Sequence, residues 1–125
     1  MARDVTVGVV GMNYWGPNLA RNFARLEECE LRWCCDLDEA VLDRHRSSHQ
    51  QTRFTTDIDD LLGDDDLDAV VIATSVPTHA HLAGMVLDAG KHVFVEKPLA
   101  VDAADARRLA SAADAAGRVL MVDHL

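Results

Sequence analysis

Val5-Thr6-Val7-Gly8-Val9-Val10-Gly11-Met12-Asn13-Tyr14-Trp15-Gly16 is the stretch whose reading decides the fold. Its first half is rich in β-branched residues (Val5, Thr6, Val7, Val9, Val10) and predicts a buried strand. Gly11 turns the chain, and Pro17-Asn18-Leu19-Ala20-Arg21-Asn22-Phe23 opens a helix. Pro17 suits a first helical position, where its missing N–H costs nothing. Strand, glycine turn and helix N-terminus together bind phosphate, because free backbone N–H groups and the positive end of the helix dipole face one point. The turn nearly spells G-x-G-x-x-G, with Gly11 first, Gly16 third and Asn13 in place of the middle glycine. Alone this pattern is weakly specific, so the remainder of the chain has to decide.

Working outward, the first helix is expected from about Gly16 to Glu27, with Leu19, Phe23 and Leu26 facing a sheet. Cys29 to Asp36 reads as a second strand. Asp36 falls 20 residues after Gly16, where a dinucleotide fold places the acid that bonds the adenosine ribose. Asp38 is the better cap for a following helix, expected over Asp38 to His49, which leaves Asp36 free for the ribose. Thr52 to Thr56 is a short third strand, and Asp57 to Leu62 a short helical turn. Asp68-Ala69-Val70-Val71-Ile72-Ala73-Thr74 is apolar throughout, as strands covered on both faces are. It empties into Ser75-Val76-Pro77-Thr78-His79, and a helix follows to Asp88, closed by Gly90 in a left-handed conformation. Lys91 to Glu96 is strand five. A helix from Asp102 to Ala116, ended by Gly117, leads into strand six at Arg118 to Asp123.

Strands that alternate with helices predict an α/β fold, a doubly wound parallel six-stranded sheet of order 3-2-1-4-5-6. All 125 residues read as one dinucleotide-binding domain. The residues with chemistry, Gly11 to Gly16, Asp36, Thr74 to His79 and Glu96 to Pro98, all fall at carboxyl ends of strands, the edge where such sheets bind ligands.

Composition bounds the function classes. With 49% hydrophobic and 26% charged residues the chain is globular. No apolar run approaches the roughly 18 residues of a membrane span. The start at Met1 to Asp4 leads directly into the first strand, so no signal peptide is expected. A net charge of −9 argues against nucleic acid or an anionic membrane as partner. The acids between Asp57 and Asp68 read as a solvated loop face, since they lack the alternation and central glycine of a calcium loop. Cys29, Cys34 and Cys35 form no C-x-x-C pair and read as buried thiols in a reducing cytoplasm. Cys34 and Cys35 are adjacent in a strand and should point to opposite faces. His45 and His49 are four apart but have no evident third ligand, so no metal site is expected.

Lys97 draws notice because the chain holds two lysines, Lys91 and Lys97, against ten arginines. It follows a buried strand, between Glu96 and Pro98, and the proline keeps it out of helix. A lysine there can hold a ribose or substrate hydroxyl, or polarise a carbonyl as hydride moves.

The Gly11-to-Phe23 turn and helix start, Cys35-Asp36-Leu37-Asp38, Asp68 to Thr74, and Gly90-Lys91-His92-Val93-Phe94-Val95-Glu96-Lys97-Pro98-Leu99-Ala100 together resemble one family. It is the glucose-fructose oxidoreductase/inositol dehydrogenase/rhizopine catabolism (Gfo/Idh/MocA) family, and the likeness is to its sugar and sugar-nucleotide branches. The resemblance implies NAD(P)-dependent hydride transfer at a sugar, sugar-nucleotide or cyclitol carbon. It implies that Gly11, Met12, Asn13, Tyr14, Trp15 and Gly16 hold the pyrophosphate. Asp36, with Leu37 beside it, would hold the adenosine ribose and favour NAD over NADP. Thr74, Ser75, Pro77 and His79 would border the cofactor. Glu96 and Lys97 would sit at the nicotinamide ribose, with Lys97 as the catalytic group.

Two departures bear on this expectation. Asn13 stands where the family has glycine; asparagine tolerates a left-handed backbone, but its side chain would crowd the pyrophosphate. The family's second domain, with an Asp-x-x-x-His acid/base pair, is not contained in these residues, and His124 is not that base. Cofactor binding without efficient turnover is therefore expected, with an exposed face near strand six and the Lys97 loop that favours self-association. The alternative is a non-catalytic NAD-binding module or sensor. A short-chain dehydrogenase is excluded, because the sole tyrosine is Tyr14 and no Tyr-x-x-x-Lys pair exists.

Overall fold

A strand that is apolar on both faces must lie inside a sheet that is covered on both faces. In the computed structural model, which describes residues 5–123, the opening strand takes that central place. Met1 to Asp4, on which the reading of the N-terminus rested, and His124 with Leu125 lie outside the described residues. The strands are β1 (Val5–Val10), β2 (Cys29–Cys35), β3 (Arg53–Thr55), β4 (Ala69–Ile72), β5 (His92–Glu96) and β6 (Leu120–Asp123). All pairings are parallel, and the order is β3-β2-β1-β4-β5-β6, as the sequence predicts for a doubly wound sheet. The helices are α1 (Gly16–Arg25), α2 (Glu39–Asp43), α3 (Ile58–Leu62), α4 (His79–Asp88) and α5 (Ala103–Ala116).

Alternation along the strands divides the core in two. Val7 and Val9 of β1 pack with Leu19 and Ala20 of α1 and with Val41 and Leu42 of α2. Val10 packs on the other face, with Leu61 of α3, Ala83 and Val86 of α4 and Leu109 of α5. Cys34 and Cys35 separate as expected, one into each layer. Leu31 shares a layer with Cys34 three residues on, because the register slips between Val7 and Gly8 and β2 carries one extra residue there. All three cysteines are free and buried, and burial pushes the Cys34 and Cys35 thiols up to about 12, which makes them inert packing groups. Each fully buried Val or Ile contributes about 1.5–3 kcal/mol. Phe23 of α1 meets Phe94 of β5 edge-on, with centroids 6.1 Å apart.

The helix ends follow the sequence closely in three places. Asp38 caps α2 by accepting from the Ala40 N–H at 2.9 Å. Asp102 caps α5 by accepting from the Asp105 N–H at 2.8 Å. Gly90 has φ +81°, and its N–H donates to Leu87 O while that of Lys91 reaches Val86 O, which closes α4 in a Schellman motif.

Three expectations need correction. The first helix ends at Arg25, short of Glu27, and Leu26 is exposed and does not face the sheet. The second helix does not run from Asp38 to His49. It ends at Asp43, and a 3₁₀ turn covers Arg46–Ser48. After Leu42 no apolar residue recurs at helical spacing, so nothing holds a longer helix on the sheet. The acids from Asp57 to Asp68 are not simply a solvated face. Asp57 caps α3, Asp60 accepts from the Thr55 hydroxyl, and Asp68 accepts from the Thr6 N–H. Asp64 binds Arg32 Nε at 2.5 Å and Trp33 Nε1 at 2.7 Å. Lys91 is buried as well, with its Nζ donating to the Asp64 and Leu67 carbonyls at 2.7 and 3.0 Å.

Candidate functional site: the cleft at the carboxyl edge

Strand order reverses between β1 and β4, and neighbouring chain segments there leave the sheet in opposite directions. A cleft of about 1140 Å³ opens at this edge. Gly11, Asn13, Tyr14, Trp15, Asp36, Leu37, Thr74, Ser75, Pro77, His79, Glu96 and Lys97, twelve of the fourteen residues singled out in the sequence, line it. Met12 and Gly16 do not. Met12 is fully buried, and Gly16 is packed behind the turn.

The turn is built by two glycines for different reasons. Gly11 has φ +98°, and a Cβ there would stand 2.6 Å from the Ala73 carbonyl oxygen. Gly16 has ordinary helical freedom, but a Cβ on it would overlap the Gly11 carbonyl. Asn13 is different. Among the described residues no non-glycine has positive φ, so the turn does not draw on asparagine's tolerance of a left-handed backbone. The strained position in the turn is Gly11. Asn13 is exposed, and its side-chain oxygen accepts from Arg44 Nη2 at 3.4 Å.

α2, α3 and α5 each carry an aspartate side-chain cap, whereas α1 and α4 have none and no acid in the first turn. These two helices start at the ends of β1 and β4, on either side of the reversal. Their positive ends are thus left for an anion, α1 through the glycine turn.

Asp36 lines the cleft beside the turn, just past the end of β2. The structure corrects the expectation that its carboxylate is free. Oδ2 accepts from the Met12 N–H at 2.8 Å, and Oδ1 from the Asp38 N–H at 2.9 Å. A carboxylate has about four acceptor sites, so two remain for ribose hydroxyls. The backbone bonds fix which way these sites face.

On the opposite wall, His79 is 1% exposed and ties two loops together. Its Nδ1 lies 2.8 Å from the Pro98 carbonyl oxygen, and its Nε2 lies 2.9 Å from that of Thr74. The Thr74 and Thr78 hydroxyls bond each other at 2.6 Å, and that of Thr78 also donates to Ser75 O. His79 thus fixes the loop after β4 against the Lys97-Pro98 loop, whose peptide bond is cis. Lys97 is exposed at the rim.

Sequence reasoning passed over Asp123. It ends β6 directly opposite Glu96 in the ladder, is 8% exposed, and lines the cleft. Glu96 hydrogen-bonds the Asp123 side chain. Burial pushes the Glu96 carboxyl up, the bond to Asp123 and its charge push the same way, and Lys97 and His79 oppose them. Glu96 Oε2 is buried without a partner. The available signal was positional: Asp123 is an acid at the carboxyl end of a predicted strand, like Asp36. Thr56, Ile58 and His81 also reach the wall.

These residues fit a dinucleotide. An anion-binding turn faces a fixed carboxylate, and an orphaned acceptor, Glu96 Oε2, awaits a hydroxyl donor at the far end. Comparison with known proteins agrees. Residues 5–124 match the family described as "Oxidoreductase family, NAD-binding Rossmann fold" (Gfo/Idh/MocA). The crystal structure of GenD2 from gentamicin A biosynthesis, in complex with NAD, superposes with a TM-score of 0.92 at 38% identity, covering 98% of this chain and 35% of that one. Biliverdin reductase from Synechocystis sp. PCC 6803, in complex with biliverdin and NADP+, gives 0.90 at 31% identity, covering 97% and 38%. A glycosyl hydrolase family 109 protein of Shewanella sp. (strain W3-18-1) is 39% identical over 106 residues, 78% of this chain and 23% of that protein. The chain thus spans about a quarter to two-fifths of the length of these relatives. It belongs to the Gfo/Idh/MocA oxidoreductase family and carries that family's NAD-binding Rossmann fold.

Proposed function

We propose that the chain binds NAD across the β1/β4 crevice and serves an oxidoreductase that acts on a CH–OH group of a sugar, nucleotide-sugar or cyclitol. The observation that carries the reading is the facing pair formed by the uncapped α1 N-terminus at Gly11–Gly16 and the backbone-oriented Asp36. In this reading the turn holds the pyrophosphate, and Asp36, with Leu37 beside it, holds the adenosine ribose. Thr74, Ser75, Pro77 and His79 shape the middle of the cleft. Glu96 takes a nicotinamide-ribose hydroxyl on Oε2, and Lys97 meets the reacting carbon's oxygen. The bound nicotinamide supplies the hydride acceptor or donor. Asp36 favours NAD over NADP, since a carboxylate repels a 2′-phosphate. The sugar class is supported by the glycosyl hydrolase name of the Shewanella relative and by the match to the oxidoreductase family. The buried free thiols suit a reducing cytoplasm.

Calorimetric titration with NAD, NADH and NADPH tests the reading. Tight NAD(H) binding with weak NADPH binding supports it; absence of any binding sinks it. Turnover by this chain on its own is expected to be poor, because among the described residues no acid/base pair lies beyond the cleft. General acid–base groups contribute about 100-fold to 10,000-fold. Rapid NADH production from a nucleotide sugar would contradict that expectation. The non-catalytic alternative, a binding module or sensor, predicts the same binding and no turnover even in an assembly with a substrate-binding domain.

A further inference from the structure

Resting on the reading above, we propose that Glu96 and Asp123 hold one proton between them, and that they release it when the oxidised, positively charged nicotinamide enters and keep it when the reduced, neutral one does.

Glu96 and Asp123 end adjacent parallel strands and stand directly opposite each other. Asp123 is 8% exposed, and Glu96 Oε2 is buried. Opposite positions in a parallel ladder put both side chains on the same face of the sheet, as neighbours. Like charges this close do not both ionise readily, which is the behaviour of paired acids. Among the described residues, Lys97 from the loop after β5 and His79 from α4 face Glu96, and both favour its ionisation. They leave it raised all the same, because burial and Asp123 outweigh them.

Glu96 Oε2 is a buried acceptor that has no donor. A ribose hydroxyl that donates to it stabilises the ionised form. Both redox states of the cofactor carry that hydroxyl. They differ in one positive charge on the ring. A cation beside the pair tips the second carboxyl to its ionised form, and the proton leaves to the buffer. A neutral ring supplies no such push. During oxidation of a CH–OH group one proton is produced for each hydride transferred. The pair, facing a ring that has just become neutral, is then ready to take it up.

The test is calorimetry of NAD+ and NADH binding in buffers of different ionisation enthalpy, repeated at several pH values. The slope of heat against buffer enthalpy counts protons. NAD+ binding is expected to release up to one proton, and NAD+ affinity to rise with pH by up to about tenfold per unit. NADH binding is expected to release markedly less. Asp123→Asn removes the second carboxyl and should cut the NAD+-linked release and flatten the pH dependence of NAD+ affinity. Glu96→Gln should do the same and serves where Asp123→Asn fails to fold. Equal proton release with NAD+ and NADH in the unaltered protein overturns the inference. So does release that is undiminished in both Asp123→Asn and Glu96→Gln, which would place the proton outside the pair. In both cases the cofactor still binds, whereas failure of the functional reading shows as no binding of either form.

Discussion

The Met12 N–H donates to Asp36 Oδ2 at 2.8 Å, so the phosphate turn after β1 and the acid that ends β2 are one hydrogen-bonded unit. A change at Asp36 therefore acts twice, on the ribose site and on the turn. Asp36→Ala should weaken NAD binding by about 10-fold to 100-fold, the worth of hydrogen bonds to a charged group. It should also free the Asp38 N–H at the start of α2. NADPH binding should fall less, because the repelling carboxylate is gone. Titration of the variant with both cofactors checks this; an equal loss for both would remove Asp36 from the role of selector.

Two glycines give a matched comparison. At Gly16 a Cβ would overlap the Gly11 carbonyl, and backbone must move. Gly16→Ala should cost about 3 kcal/mol or more and abolish cofactor binding. At Gly90 a Cβ meets nothing within 4 Å, and φ +81° is the sole obstacle. Gly90→Ala should cost about 1–2 kcal/mol and leave NAD affinity unchanged. Thermal unfolding and titration of both variants separate packing from backbone strain.

Asn13 occupies a glycine position of the fingerprint without needing glycine's freedom. Its side chain is exposed and bonds Arg44. Asn13→Gly should therefore change NAD affinity by no more than about threefold, equivalent to about 0.6 kcal/mol. An increase of tenfold or more would mean that the amide does crowd the pyrophosphate.

The parts of the fold that were legible in the sequence are those set by local chemistry or by periodicity. β1 and β4 are apolar throughout, Asp38 and Asp102 sit where caps belong, and Gly90 closes α4. Alternation then leaves the strand order little choice, since parallel crossovers are right-handed. Twelve cleft residues were legible because each sits at the end of a strand or in the loop that leaves it. What escaped depends on contacts between distant parts of the chain. Asp123 matters through its register with Glu96, 27 positions earlier. Asn13's backbone could not be read, because Gly11 takes the strained angle instead. The acid-rich stretch looked solvated, since the partners of Asp64 lie on β2, more than 30 residues away.

That last pairing gives a pH dependence. Burial works against the Asp64 charge, but hydrogen bonds from Arg32, Trp33 Nε1 and the Asp66 N–H, with the charge of Arg32, outweigh it. They bring the carboxyl from its ordinary value of 3.8 down to about 2. The folded state thus binds this proton more weakly than the unfolded chain does. The pairing stabilises fully above about pH 4 and is lost as pH falls through about 2. A shift of this size corresponds to something on the order of 2 kcal/mol. Asp64→Asn should lower stability by about that much at neutral pH, and the difference from the unaltered protein should shrink toward zero in acid. Denaturant unfolding of both proteins, from neutral pH down to about pH 2, checks the slope as well as the size. A stability gap that stays constant across that range would show that Asp64 acts through packing, and not through its charge.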